Sequence, residues 1–275
     1  MAKINKLIAF GDSWTYGSEL RDPAITDCKG DYDGRNDAYR LQHSWPSRLA
    51  QLLEIPRVEN RGTAARSNDT ILRDLSSWLA TEGYLQGRPA ADMLVCLGWT
   101  SPERRDFWFH DSQRPNCSDA GWVTMYPMWT HKYKHRAIDQ FTEQYVRYWW
   151  HAAEYMHRYI NQVHQTQTLL KSLHIRHVMF QAIYHHHATL IEEWNDSVYL
   201  SQHAQGITDA DRLIWSCVDS HSFMHKDQPL ATFHNWILDA VAWDKHAVLM
   251  TSHPNEHGHA LWAAHMQSWL RDHQV

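Results

Sequence analysis

The feature that most constrains the fold is a short apolar run near the start of the chain, followed by a glycine and two polar residues. Residues 7–10 are too few for a helix and are typical of a buried strand. Gly11 then permits the tight turn by which a chain leaves a sheet, and Asp12 and Ser13 follow at once. Open α/β sheets bind their ligands at the carboxyl ends of the strands, so this position suits a hydroxyl nucleophile.

Beyond this block, the chain alternates strand-like apolar runs with segments of helical periodicity. The runs that we expect to be strands are residues 58–60, 92–97, 175–180 and 247–250. One helix is expected to begin near Ser44, and others to cover residues 71–79, 137–173 (broken once) and 256–270. This alternation predicts an α/β fold, a three-layer αβα sandwich around a central, mainly parallel sheet. We expect one domain, residues 1–275, with a long loop insertion around residues 103–135.

Charge, hydropathy and cysteine usage disfavour several classes of protein. The net charge is −5 and no basic tract is present, so we expect no nucleic-acid partner. No apolar run approaches the roughly 18 residues of a membrane-spanning helix, and the N-terminus lacks the apolar core of a signal peptide. The four cysteines are scattered and show no C-x-x-C spacing, which predicts reduced thiols and a cytoplasmic location.

Two short blocks resemble the SGNH (GDSL-type) hydrolases: Gly11-Asp12-Ser13 near one end of the chain and His253-Pro254-Asn255 near the other. The resemblance implies a flavodoxin-like SGNH hydrolase fold and an ester-hydrolysing site that needs no cofactor. Ser13 would then be the nucleophile, His253 the base and Asp12 a structural residue of the turn. The alternative for Ser13 is a plain N-cap serine of the first helix.

The oxyanion hole implied by the family is altered in this chain. The family supplies the backbone N–H of the serine, the N–H of a glycine and the side chain of an asparagine. Counted along the blocks, the glycine position falls on Ala65 and the asparagine position on Thr100. An alanine N–H still serves if the residue adopts the same backbone conformation, and a threonine hydroxyl has one proton to donate. Asn68 could supply the missing amide instead.

The acid of the family's triad is also missing, since the position three residues before His253 is Met250. A methionine cannot orient an imidazole. Either another carboxylate reaches the ring, with Asp244 the first candidate and Asp239 and Glu256 the others, or a backbone carbonyl does and the pair acts as a Ser–His dyad.

Other charged and metal-ligating residues have weaker interpretations. Arg104 and Arg105 follow the third block and could clamp a substrate carboxylate or phosphate, or could form ordinary surface ion pairs. His131 and His135, and the triplet at residues 185–187, lack zinc spacing with a cysteine or carboxylate, so we expect no metal.

The sequence therefore predicts a serine-dependent esterase acting on a small-molecule or carbohydrate ester through an acyl-enzyme. Two alternatives remain open: a catalytically degenerate binding protein, and an acyltransferase that uses the same residues. The oligomeric state is not indicated.

Overall fold

A computed structural model of the chain describes residues 3–90, 92–109, 121–127, 133, 136–183, 207–228 and 231–275. Its central sheet contains β1 (Lys6–Phe10), β2 (Arg57–Asn60), β3 (Met93–Trp99) and β6 (Arg176–Gln181) in the order β2-β1-β3-β6. All three pairings are parallel. This is the strand order of flavodoxin-like sheets, and it confirms the predicted parallel α/β architecture.

Helices cover both faces of the sheet. In chain order they are α1 (Ser13–Tyr16), α2 (Asp37–His43), α3 (Trp45–Leu52), α4 (Asn68–Thr81), α5 (Arg136–Tyr148), α6 (Ala152–Ser172), α7 (Asp209–Ser216), α8 (Phe233–Asp239), α9 (Lys245–Val248) and α10 (Glu256–Asp272). The long helical segment predicted over residues 137–173 is indeed broken once, between α5 and α6. Within the described ranges, no helix combines the length and the apolar content that a bilayer crossing requires.

The two cores follow from the alternation of side chains along β1 and β3. On one face, Ile8 and Val95 pack with buried residues of α4 and α6. On the other face, Leu7 and Cys96 pack with α3, α8 and α10, around the fully buried Trp262. Apolar runs buried on both faces explain why the strands read as continuous hydrophobic segments in the sequence.

Two sequence predictions fail in the connections. Residues 247–250 were expected to form the last strand, but residues 247 and 248 belong to the short helix α9 and Leu249 forms an isolated β-bridge with Pro254. The carboxylate of Asp244 accepts a hydrogen bond from the N–H of His246, and this N-cap favours the helical turn over an extended run.

The second failure concerns the insertion around residues 103–135, which we expected to be a loop. Its described part contains an antiparallel hairpin of β4 (Arg105–Trp108) and β5 (Trp122–Met125). Asp106 anchors this hairpin to α4, because its carboxylate accepts hydrogen bonds from the hydroxyls of Thr70 and of the α4 N-cap Ser67. It also accepts one from Thr124 of β5, within the hairpin. Burial raises the pKa of Asp106, but these bonds and that from Arg73 outweigh it and lower the pKa overall. The hairpin is thus fixed beside the carboxyl edge of the sheet.

Candidate active site

Ser13 lies where β1 gives way to α1, at the carboxyl edge of the sheet. The N-cap of α1 is Asp12, whose Oδ1 accepts a hydrogen bond of 3.0 Å from the N–H of Trp14. The alternative interpretation of Ser13 as the cap residue is therefore wrong. Among the described residues nothing is hydrogen-bonded to Ser13 Oγ, so the hydroxyl is not used for capping.

Asp12 is fully buried and is held by two partners from the segment after β3. Its Oδ2 accepts a 2.6 Å hydrogen bond from Thr100 Oγ1, and Arg104 Nη1 lies 3.5 Å from the same oxygen. Arg104 Nη1 also donates to Thr100 Oγ1 at 2.9 Å and to the carbonyl oxygen of Arg66 at 3.1 Å. This buried network ties the turn that carries Ser13 to the end of β3.

The network corrects two sequence predictions. Thr100 has a single hydroxyl proton and donates it to Asp12, so that proton is not available for an oxyanion. Arg104 is buried beneath the turn and pairs with Asp12, so it braces the site rather than clamping a substrate. Arg105 pairs with Glu154 at 2.9 Å on α6, which makes it an ordinary ion pair of the surrounding structure.

The loop between β2 and α4 brings a second backbone N–H to the same edge. Ala65, at the position counted to the glycine of the resembling family, has φ = 62°, in the left-handed region that glycine adopts readily. Just before it, Gly62 packs so closely on α1 that a Cβ there would lie 2.5 Å from the backbone nitrogen of Tyr16. The loop is therefore held against α1 at Gly62, three residues before Ala65.

Asn68, the first residue of α4, is buried and paired with the backbone of Thr100. Its Oδ1 accepts from the Thr100 N–H at 2.9 Å, and its Nδ2 donates to the Thr100 carbonyl oxygen at 3.1 Å. One of the two Nδ2 protons is used in this pair. The side chain therefore locks the α4 N-terminus to the end of β3.

His253 comes to the same region from the far end of the chain. Its ring centroid lies 6.3 Å from that of Trp14, the neighbour of Ser13. Pro254 follows, and Asn255 caps α10 by accepting a 2.9 Å hydrogen bond from the N–H of Gly258. The cap fixes the start of α10 directly after the histidine.

The carboxylate beside the His253 ring belongs to Glu19, which the sequence analysis did not consider. Glu19 Oε1 lies 3.3 Å from His253 Nδ1. Burial raises the pKa of Glu19, but hydrogen bonds from Thr251, Ser252 and His253 outweigh it and lower the pKa to about 2. Glu19 is therefore ionised at neutral pH.

The three carboxylates proposed from sequence have other positions and partners. Asp244 caps α9, Asp239 ends α8, and Glu256 pairs with His43 at 2.9 Å. Within the described ranges, none of them is hydrogen-bonded to the His253 ring. Met250 is half exposed and bonds to His253 only through the backbone.

Comparison with known sequences identifies the family. A sequence model described as "Family of unknown function (DUF6071)" matches residues 24–275, a range that includes His253 and begins after Ser13. The chain belongs to the DUF6071 family. A search of curated proteins found no match to it.

Solved structures similar to this DUF6071 chain are distant. A member of the lipolytic protein G-D-S-L family from Veillonella parvula is 11% identical, with a TM-score of 0.43 and coverage of 97% of this chain and 96% of that one. Phospholipase A1 from Streptomyces albidoflavus is 12% identical, with a TM-score of 0.38 and coverage of 98% and 99%. A catalytic mutant of an acetylxylan esterase from Geobacillus stearothermophilus is 15% identical, with a TM-score of 0.41 and coverage of 100% and 96%. Similarity this low assigns no role to any residue of the DUF6071 chain.

Metal ligation is not suggested by the described part of the DUF6071 chain, where no three His, Cys, Asp or Glu side chains are grouped to hold an ion. His131, His135 and the triplet at residues 185–187 lie outside the described residues. The expectation that no metal or cofactor is needed remains a prediction.

Proposed function

We propose that the chain is a serine-dependent ester hydrolase in which Ser13 is the nucleophile and His253 the general base. The observation that supports this most is the meeting of two distant segments at one sheet edge. Ser13, whose hydroxyl does not cap α1, directly precedes Trp14, and the Trp14 ring lies 6.3 Å from the ring of His253. The Nδ1 of His253 faces the carboxylate of Glu19. A base oriented in this way is what a neutral serine needs to attack an acyl carbon.

The proposed reaction has two steps, acylation of Ser13 and hydrolysis of the acyl-enzyme. His253 Nε2 takes the proton of Ser13 Oγ as the oxygen bonds to the acyl carbon, and then returns this proton to the departing alcohol. Water next attacks the acyl-enzyme, giving its proton to His253 and releasing the carboxylic acid, while the proton returns to Ser13. Acyl transfer to an alcohol replaces only the water in the second step.

The oxyanion is held by backbone N–H groups of Ser13 and Ala65 in this proposal. Asn68 is the third donor, through the Nδ2 proton that is not given to Thr100. Loss of one such donor typically lowers the rate by about 10²–10³-fold, so each is testable. The substrate is an ester of a small molecule or a carbohydrate, and the acyl group is not defined by the described residues.

A reducing, cytoplasmic setting is part of the proposal. Cys28, Cys96 and Cys217 are free thiols, and such cysteines persist in a reducing compartment.

The test is hydrolysis of p-nitrophenyl acetate by the wild type, Ser13→Ala and His253→Gln. Ser47→Ala is the matched control, since Ser47 lies in α3 and its Oγ donates a 2.6 Å hydrogen bond to the carbonyl oxygen of Leu41 in α2. We expect Ser13→Ala to lower kcat by about 10³-fold or more and Ser47→Ala to leave it unchanged. A fluorophosphonate probe should label Ser13 in a peptide map. Equal hydrolysis by Ser13→Ala and the wild type would refute the proposal.

Ligand binding without turnover is the second candidate function. It is favoured by Thr100, which stands where the SGNH hydrolases have the asparagine of the oxyanion hole. The single hydroxyl proton of Thr100 is donated to Asp12. This candidate predicts that the wild type hydrolyses the ester no faster than Ser13→Ala, and that the fluorophosphonate leaves Ser13 unmodified.

A further inference from the structure

We infer that Glu19 is the acid that positions the His253 imidazole, taking the place of the aspartate that Met250 replaces. The inference rests on the proposed function and names a residue that no sequence block marks. Glu19 lies just after α1, six positions from Ser13, whereas its contacts are with residues 251–253.

The two carboxylate oxygens of Glu19 have separate tasks. Oε2 accepts backbone N–H groups of three successive residues, at 2.9 Å from Thr251, 3.2 Å from Ser252 and 3.4 Å from His253. Oε1 accepts hydrogen bonds from two hydroxyls, at 2.6 Å from Thr251 Oγ1 and 3.2 Å from Ser252 Oγ, and lies 3.3 Å from His253 Nδ1. One oxygen therefore fixes the loop that carries the imidazole, and the other faces the imidazole itself.

The charge on Glu19 decides which ring nitrogen of His253 carries the proton. An ionised carboxylate only accepts hydrogen bonds, so at 3.3 Å it favours the tautomer of the neutral imidazole that carries its proton on Nδ1. Ser252 Oγ lies 3.1 Å from Nδ1 and 3.2 Å from Oε1, and its own proton is drawn to the carboxylate for the same reason. In this tautomer Nε2 is unprotonated, which is the state that accepts the proton of a serine.

The backbone of Glu19 is held in an uncommon conformation. Its φ is 68°, in the left-handed region that non-glycine residues rarely adopt, and its N–H donates a 2.9 Å hydrogen bond to Asp31 Oδ1. Glycine would adopt this conformation without strain. The side chain at this position therefore brings an interaction that offsets the strain, and the contacts with residues 251–253 supply it.

Glu19 has one rival role, in which it fixes the loop of residues 251–253 and has no influence on the ring. The two roles respond differently to three variants. Glu19→Gln removes the charge at nearly the same size. Thr251→Val removes the 2.6 Å hydrogen bond to Glu19 Oε1 but keeps the carboxylate beside the ring. Ser252→Ala removes the hydroxyl partner of Nδ1 and likewise keeps the carboxylate.

The kinetic test measures kcat and KM for p-nitrophenyl acetate in these variants, together with thermal unfolding. We expect Glu19→Gln to lower kcat by about 10²–10⁴-fold with KM changed less than about threefold, since the wrong tautomer impairs only the proton transfer. Thr251→Val should keep kcat within about threefold while losing thermal stability, and Ser252→Ala should lose less than about tenfold. Equal losses of kcat in Thr251→Val and Glu19→Gln would assign Glu19 a loop-fixing role and overturn the inference, as would a Glu19→Gln variant of full activity.

A spectroscopic test separates this inference from the proposed function. The Nδ1 proton of an imidazole paired with a carboxylate gives a low-field proton resonance in NMR spectra. We expect it in the wild type and in Ser13→Ala, and expect it to be absent from Glu19→Gln and His253→Gln. Its presence in Glu19→Gln would overturn the inference whatever the hydrolysis assay shows. Its presence in an inactive wild type would support the Glu19–His253 pair and refute the hydrolase.

Discussion

The buried pair of Asp12 and Arg104 should be the most costly polar contact of the site to break. Nη1 and Oδ2 are 3.5 Å apart, and both side chains are almost completely buried. At an effective dielectric constant of about 20, opposite unit charges at this distance attract each other by about 5 kcal/mol. Removal of one partner of a buried pair typically costs about 3–5 kcal/mol, because the other charge stays buried without compensation.

A double-mutant cycle measures this coupling. Urea unfolding, followed by tryptophan fluorescence, should show that Arg104→Met and Asp12→Asn each lower the free energy of unfolding by about 3–5 kcal/mol. The double variant should lose at least about 2 kcal/mol less than the sum of the two, since each single change already removes the shared contact. In melting temperature, a single loss of this size corresponds to a fall of roughly 6–20 °C.

An exposed pair provides the matched control for this cycle. Arg88 and Glu82 are 3.0 Å apart, but their side chains are 55% and 37% exposed. Arg88→Met should cost less than about 1 kcal/mol. Additive losses for Asp12 and Arg104, to within about 0.5 kcal/mol, would refute the argument that the pair acts as one unit.

Three further predictions concern the same edge of the sheet. Because the pKa of Glu19 is lowered from 4.5 to about 2 in the folded state, its stabilisation is complete above about pH 4.5 and is lost as the pH falls through about 2. Melting temperatures of the wild type should therefore fall more steeply over this range than those of Glu19→Gln, and parallel curves would contradict the sign. Gly62→Ala should lower the free energy of unfolding by about 1–3 kcal/mol in urea, because the new Cβ meets the backbone of Tyr16; an unchanged midpoint would contradict this close approach. Ala65→Gly should raise the free energy of unfolding by up to about 1 kcal/mol and keep kcat, since glycine adopts φ = 62° without strain. A fall of more than about 1 kcal/mol in that free energy would show that the conformation of Ala65 is not strained.

The sheet could be predicted from sequence because its signal is local. Residues 7–10 and 93–97 are buried on both faces, and a continuous apolar run is typical of such strands. The run at residues 247–250 is also apolar, but its first two residues end the helix α9, because the Asp244 cap favours a helical turn. The hairpin of β4 and β5 was missed since its anchor, Asp106, contacts residues of α4 that lie 36 and 39 positions earlier.

The candidate site was only partly predictable, for the same reason. Ser13 and His253 stand in recognisable blocks, and the position of Ala65 follows from counting along the second block, whereas its φ of 62° comes from the structure. Glu19 stands in no block, and the contact that defines it spans 234 residues. One indirect indication of Glu19 was present in the sequence: Met250 stands where the acid of the triad is expected, so the acid had to come from another part of the chain. The engagement of the Thr100 hydroxyl with Asp12 depends on side-chain geometry that spacing does not encode.

The hydrogen bonds between Glu19 and residues 251–253 also bear on when the site can assemble during protein synthesis. Ser13 and His253 are 240 positions apart, and ribosomes add about 5–20 residues per second, so roughly 12–50 s separate their synthesis. Throughout that interval the growing polypeptide carries Ser13 and Glu19 without residues 251–253. If Ser13 and His253 act as proposed, a nascent chain gains reactivity toward esters only after α10 has docked.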